Sequence, residues 1–135
     1  MNVSDNFVFE FSFTQEQVDL FAKVTGDFNP VHLDESFAAE SIFGTRIIHG
    51  LLAGSVFSKI IGMHFPGNGA IYLSQTMNFL KPMFVGTNYC AELKVIENPK
   101  ANRFRIKTTV IDIIKNEITL DGEAYILFKK PSINN

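Results

Sequence analysis

Residues 47–61 read IIHGLLAGSVFSKII, and the reading of this stretch decides the fold. From Ile48 to Ile61 the apolar residues Leu51, Leu52, Ala53, Val56, Phe57, Ile60 and Ile61 leave no wet face. A helix of that kind is expected to be buried on most sides. Lys59 is its one formal charge. Gly50, Gly54 and Ser58 recur every four residues and make a stripe of small side chains. Glycine inside a helix costs roughly 1 kcal/mol relative to alanine, so the stripe implies close approach of another backbone. The longer apolar segment from Ile47 to Phe65 is interrupted by His49, Lys59, His64 and several Gly and is too short and polar to read as a membrane span.

A buried helix needs a cover, and the flanking sequence supplies strands. Phe7, Phe9, Phe11 and Phe13 alternate along one face of an extended run, which should be buried. Thr14 with Gln17 is a capping-box pattern, and Val18, Phe21 and Ala22 follow at helical spacing up to Gly26. Residues 27–33 read as a turn or loop, Asp34 caps a short helix to Ala39 or Glu40, and residues 43–46 are a break. After the Pro66-Gly67-Asn68-Gly69 turn, strands are expected over 70–79, 88–97, 103–114 and 117–129. Asn98-Pro99-Lys100 should separate the second and third, and Lys115-Asn116 should link the last two as a hairpin. Strand, helices, apolar helix and four strands suggest an α+β layer architecture, with one curved antiparallel sheet covering the helix. With 135 residues and no internal repeat or linker, residues 1–135 read as a single domain ending in a frayed tail at 131–135.

Composition narrows the function classes. Fourteen Phe and no Trp suggest a core filled with large flat side chains. A formal charge of −2 gives no electrostatic footprint for nucleic acid. The single cysteine, Cys90, excludes an internal disulfide and a multi-thiolate zinc site, and reads as a small core residue. No basic, then apolar leader opens the chain, so the cytoplasm is the expected location.

The chemistry gathers just before the apolar helix, in Thr25-Gly26-Asp27-Phe28-Asn29-Pro30-Val31-His32. Asp27 and His32 lie five residues apart around an Asn-Pro turn. A carboxylate is a weak base in water, with a pKa of about 3.9. Burial strengthens it, and a neighbouring imidazole can share a water with it. On spacing alone the alternative is an Asp that caps a turn and a His that satisfies backbone.

That octapeptide, followed by Ile48-His49-Gly50, closely resembles the hydratase-2 motif of MaoC-like (R)-specific enoyl-CoA hydratases. The likeness is to the small bacterial type that supplies (R)-3-hydroxyacyl-CoA for polyhydroxyalkanoate synthesis. It extends over Ile71-Tyr72-Leu73, Phe84-Val85-Gly86 and the Pro66-Gly67 turn, and the Asp-x-Asn-Pro-x-His core is specific. The resemblance implies a hotdog fold, an antiparallel sheet wrapped around a long central helix, as a homodimer. It implies a hydro-lyase that converts trans-2-enoyl-CoA to (R)-3-hydroxyacyl-CoA. Asp27 and His32 would be the catalytic pair that activates water, the Gly50 N–H would donate to the thioester oxygen, and Asn29 would orient the loop. Coenzyme A would enter only as part of the substrate, with no metal and no redox cofactor.

The physical chemistry of the reaction agrees with those roles. Hydration of an enoyl thioester builds negative charge on its carbonyl oxygen, and free N–H groups at a helix start meet such charge. Glycine at that start leaves room for the thioester. His49 reads as a side chain that fixes the loop or the helix start rather than as a chemical participant. Ser58, two turns beyond Gly50, is a candidate substrate contact, with helix packing as the equal alternative. His64 is expected to be exposed. Lys81, Arg46, Arg103 and Arg105 are candidates for coenzyme A phosphates, with solvated surface charge the safer reading. Three alternatives stay open: a dehydratase acting on acyl-carrier protein, a hotdog thioesterase, and a non-catalytic acyl-CoA-binding module. Hotdog thioesterases and many carrier-protein dehydratases, as families, often carry a carboxylate on the central helix, and residues 51–61 contain no Asp or Glu, which argues against both.

Overall fold

In the computed structural model, which describes residues 1–132, the chain opens with strand β1 (Asn6–Phe11). Helix α1 (Gln15–Thr25) starts at a complete capping box between Thr14 and Gln17 and stops at Gly26, whose φ of 78° is left-handed. Two short helices follow, α2 (Pro30–Leu33) and α3 (Glu35–Ala39), the second capped by the Asp34 side chain on the Phe37 amide. Residues 30–33, expected as loop, are therefore one helical turn. Pro30 fits there because the first helical position needs no N–H, and the Asn29 side chain accepts from the Val31 amide.

The apolar stretch forms α4 (Gly50–Met63). The strands are β2 (Ile71–Gln75), β3 (Asn78–Phe79), β4 (Tyr89–Lys100), β5 (Arg103–Asp112) and β6 (Glu117–Leu127). They form one antiparallel sheet in the order β1-β4-β5-β6-β2, with β3 also on β6. One face of α4, carrying Leu52, Ala53, Val56, Phe57, Ile60 and Ile61, is buried in the core formed with sheet residues such as Leu93, Val95, Ile106, Val110, Leu120 and Ile126. This is the hotdog arrangement.

Four expectations change in detail. First, α4 is not covered all round: Leu51, Ser55, Ser58, Lys59, Gly62 and Met63 are exposed along one stripe. Lys59 keeps its charge in solvent and lies 4.6 Å above the Phe9 ring. Second, the glycine stripe receives side chains rather than another backbone. Phe79 lies where a Cβ on Gly50 would stand, 2.8 Å away, and the Met77 sulfur fills the same space at Gly54. Third, most phenylalanines are not central. Only Phe57 and Phe104 are buried, while Phe7, Phe9, Phe11 and Phe13 are half-buried against the core edge beneath β1. Aliphatic side chains fill the centre because they interdigitate between a helix and a pleated sheet without leaving voids.

Fourth, the strand limits shift. The run expected over 70–79 breaks at Thr76-Met77, and β4 continues through Asn98-Pro99 to a turn at Asn102, whose φ is 61°. Pro99 is tolerated because the β1 ladder ends at the Asn6–Lys94 pair and the β5 register is already irregular beyond Glu97. Of the tail expected at 131–135, residues 133–135 lie outside the described residues. No helix among the described residues is long and apolar enough to cross a membrane.

Candidate active site

The loop between α1 and α2 is built by local hydrogen bonds. The Thr25 hydroxyl donates to the Phe21 carbonyl and accepts from the Asp27 amide. The Asn29 amide then donates to Asp27 Oδ1 at 3.2 Å. Asn29 thus touches Asp27 with its backbone and starts α2 with its side chain. It joins the two ends of the motif without lining the cavity described below.

Helix α2 carries His32 into the protein, where the residue is 9% exposed. Its Nδ1 lies 2.8 Å from the Ile47 carbonyl. A carbonyl only accepts, so Nδ1 bears the proton and Nε2 is left as a free lone pair. The α2 turn is fastened to residues 15 and 47 as well, since Gln15 donates to the His32 carbonyl and the Ile47 amide donates to Val31.

His49 caps α4 and is 2% exposed. Its Nε2 donates to the Asp27 carbonyl at 3.1 Å, while the Asp27 carboxylate oxygen at 3.9 Å is beyond hydrogen-bond range. Its ring stacks on His32 with centroids 3.8 Å apart and planes 26° from parallel, and it meets Phe21 at 4.8 Å. Gly50 follows as the first helical residue. The first bond accepted by His49 comes from the Ala53 amide, and no side chain caps the helix start. The Gly50 N–H therefore belongs to the unpaired first turn of α4.

These groups face one cavity of about 600 Å³, lined among others by Asp27, His32, Gly50, Phe43, Phe79 and Met83. Polar atoms of Asp27, His32 and His49 all lie within 4.8 Å of one another. The two rings are stacked, so their lone pairs lie in near-parallel planes. His32 Nδ1 and His49 Nε2 each face a backbone carbonyl, which leaves His32 Nε2 as the imidazole lone pair beside the carboxylate.

Asp27 is not enclosed as the chemistry would suggest. Its side chain is 51% exposed in this single chain, because the loop that carries it runs over the outside of the helices. Ser58 is exposed on the outer stripe of α4 and does not line the cavity. Lys81 does line it, while Arg46 is paired with Glu35 and Arg105 with Glu97 and Glu123. His64 is exposed, as expected, and stacks on Phe7 and Phe9. The Ile47 carbonyl is a functional group that sequence reading missed, because a backbone acceptor leaves no mark on residue type.

Burial pushes the His32 imidazole below its ordinary value, followed by the opposing bond to Ile47, the lowering influence of His49 and the raising influence of Asp27. The folded protein therefore excludes a proton that the unfolded chain takes up below about pH 6.5. Stability should fall as pH drops below that value and level off once the folded-state ring is protonated. Melting temperatures measured between pH 8 and pH 5 will show this acid slope in the wild type and a shallower one in His32→Gln. Equal slopes would mean that His32 is not the group responsible.

A family model described as the MaoC like domain matches residues 4–117. A 3-hydroxybutyryl-CoA dehydratase of Methylorubrum extorquens is 43% identical over 111 residues, 82% of this chain and 69% of the relative. The (R)-specific enoyl-CoA hydratase of Aeromonas caviae is 39% identical over 114 residues, 84% of this chain and 85% of the relative. A solved structure of an A. caviae (R)-hydratase involved in PHA biosynthesis superposes with a TM-score of 0.91 at 33% identity, over 96% of this chain and 98% of that one. A mitochondrial 3-hydroxyacyl-[acyl-carrier-protein] dehydratase of Arabidopsis thaliana is 34% identical over 116 residues, 83% of this chain and 68% of the relative.

Proposed function

The chain belongs to the MaoC-like domain family, and from that membership we propose that it adds water to trans-2-enoyl-CoA to give (R)-3-hydroxyacyl-CoA, and runs the reverse dehydration. The observation that carries this reading is the placing of a carboxylate, a free imidazole lone pair and a helix-start amide on one cavity. Asp27 and His32 Nε2 are both acceptors, and one water has two protons to offer them. With the thioester oxygen on the Gly50 N–H, the water oxygen bonds to C3 as the C2–C3 π electrons move toward that carbonyl. One proton passes to the acceptor pair, which then becomes the donor to C2. The balance closes on one water and one enoyl thioester, with no cofactor.

Purified protein mixed with crotonyl-CoA should remove the absorbance of the conjugated thioester, and chiral analysis should find the (R) alcohol. No loss of absorbance with short or medium enoyl chains would reject hydration. Release of free thiol in place of hydration would move the assignment to a thioesterase. Faster turnover of enoyl-acyl-carrier protein than of enoyl-CoA would make the carrier protein the substrate, the second reading that the Arabidopsis relative favours.

The same proposal includes a homodimer. The exposed stripe on α4, with Leu51 at 62% and Met63 at 71% exposure, and the open side of Asp27 are surfaces that a second copy would cover. Light scattering should give twice the chain mass of 15.2 kDa, and a monomer at assay concentration would overturn the dimer.

A further inference from the structure

We propose that His49 is a positioning residue that ties the Asp27 loop, the His32 ring and the start of α4 into one rigid unit, through its Nε2–H on the Asp27 carbonyl and its face on His32. The inference rests on the hydration reading above and deepens it.

The bond to Asp27 spans 22 residues of chain and joins the carboxylate's own backbone to the residue that precedes Gly50. It is made by a side chain almost wholly removed from water, where a hydrogen bond meets no solvent competition. The direction of that bond is fixed, because a carbonyl only accepts. His49 Nδ1 is buried with no partner, so the ring is held by one polar edge and by its contacts with His32 and Phe21.

The faces matter as much as the edge. His32 has a single side-chain hydrogen bond, from Nδ1 to Ile47, and one such bond leaves an imidazole free to rock about it. The stacked His49 ring closes off that motion on one side, and Phe21 braces His49 in turn. The lone pair of His32 Nε2 then keeps a constant direction relative to the Asp27 carboxylate. A water held between two acceptors is ready to attack only when both distances are right, and misplacement of about 1 Å can cost 10²-fold in rate. Loss of His49 should therefore act on turnover more than on binding, since what it shifts first is the pair of acceptors that hold the water.

Two variants separate edge from face. His49→Phe keeps the stack and removes the donor. His49→Gln returns an N–H at similar reach and weakens the stack. With crotonyl-CoA, His49→Phe should lose roughly 10–100-fold in kcat with KM nearly unchanged, and His49→Gln should recover part of that loss at unchanged melting temperature. Wild-type turnover in His49→Phe, a rise in KM alone, or no recovery in His49→Gln would overturn the proposal. A measurement independent of activity covers variants that fail to fold: long-range ¹⁵N NMR of the wild type should find His49 as the Nε2–H tautomer, and an Nδ1–H tautomer would overturn it. If the wild type hydrates no enoyl thioester, the functional reading fails. If it does and His49→Phe matches it, only the positioning role fails.

Discussion

Asp27→Asn is expected to lower kcat for enoyl-CoA hydration by roughly 10²–10⁴-fold while KM changes little. The substitution isolates the charge. Asp27 Oδ1 accepts from the Asn29 amide, and an asparagine Oδ1 accepts the same bond, so the turn into α2 is kept. The Asp27 amide donates to the Thr25 hydroxyl and the Asp27 carbonyl accepts from His49, so neither bond involves the carboxylate oxygens. What is lost is an anion that takes a proton from water, because an amide is a far weaker base. His32 does not compensate: burial lowers its basicity, and Asp27 is among the groups that raise it. Steady-state rates with crotonyl-CoA, at matched melting temperature, give the result. Activity within about twofold of wild type would remove Asp27 from the chemistry, since positioned acid–base groups contribute far more than that.

Much of the candidate site's geometry was legible because it is built locally in sequence. Asp27, Asn29, Pro30 and His32 fall within six residues. Each acts at short range, as a turn acceptor, a helix cap, a first helical residue and a side chain carried inward. The main helix was legible from apolar content alone. The uncovered stripe of α4 was not, because Leu51 and Met63 are as apolar as Leu52 and Ile61, and composition cannot distinguish a face against the sheet from one left open in a single chain. The break at Thr76-Met77 was hidden for a related reason. The close crossing there is permitted by a glycine far downstream on another strand. His49 read as a side chain that fixes the loop or the helix start, and it does bond the loop; its partner, the Asp27 carbonyl, was out of reach because a backbone acceptor leaves no mark on residue type.

That downstream glycine sets up the second large effect. Gly122→Ala should destabilise the fold by about 3 kcal/mol, the upper end of the usual range for overpacking, and lower the melting temperature by roughly 10 °C. Gly122 pairs with Thr108 across the sheet, and the chain leaving β2 crosses directly over it. A Cβ there would stand 2.6 Å from the Thr76 carbonyl carbon and 3.2 Å from Met77 Cα, and it would collide with the Thr76 carbonyl oxygen. These are backbone atoms with little freedom to move. The Thr76 amide donates to the Glu123 carbonyl at 2.9 Å, the Glu123 amide donates to the Thr76 hydroxyl at 3.0 Å, and the Leu80 amide holds the far side on Thr119 at 2.9 Å. Lifting the crossing would also withdraw Met77 from Gly54 and Phe79 from Gly50, so the disturbance runs into the first turns of α4 and the cavity wall. Thermal melts of the variant and the wild type give the result. A Gly122→Ala protein that melts with the wild type would show that the crossing yields.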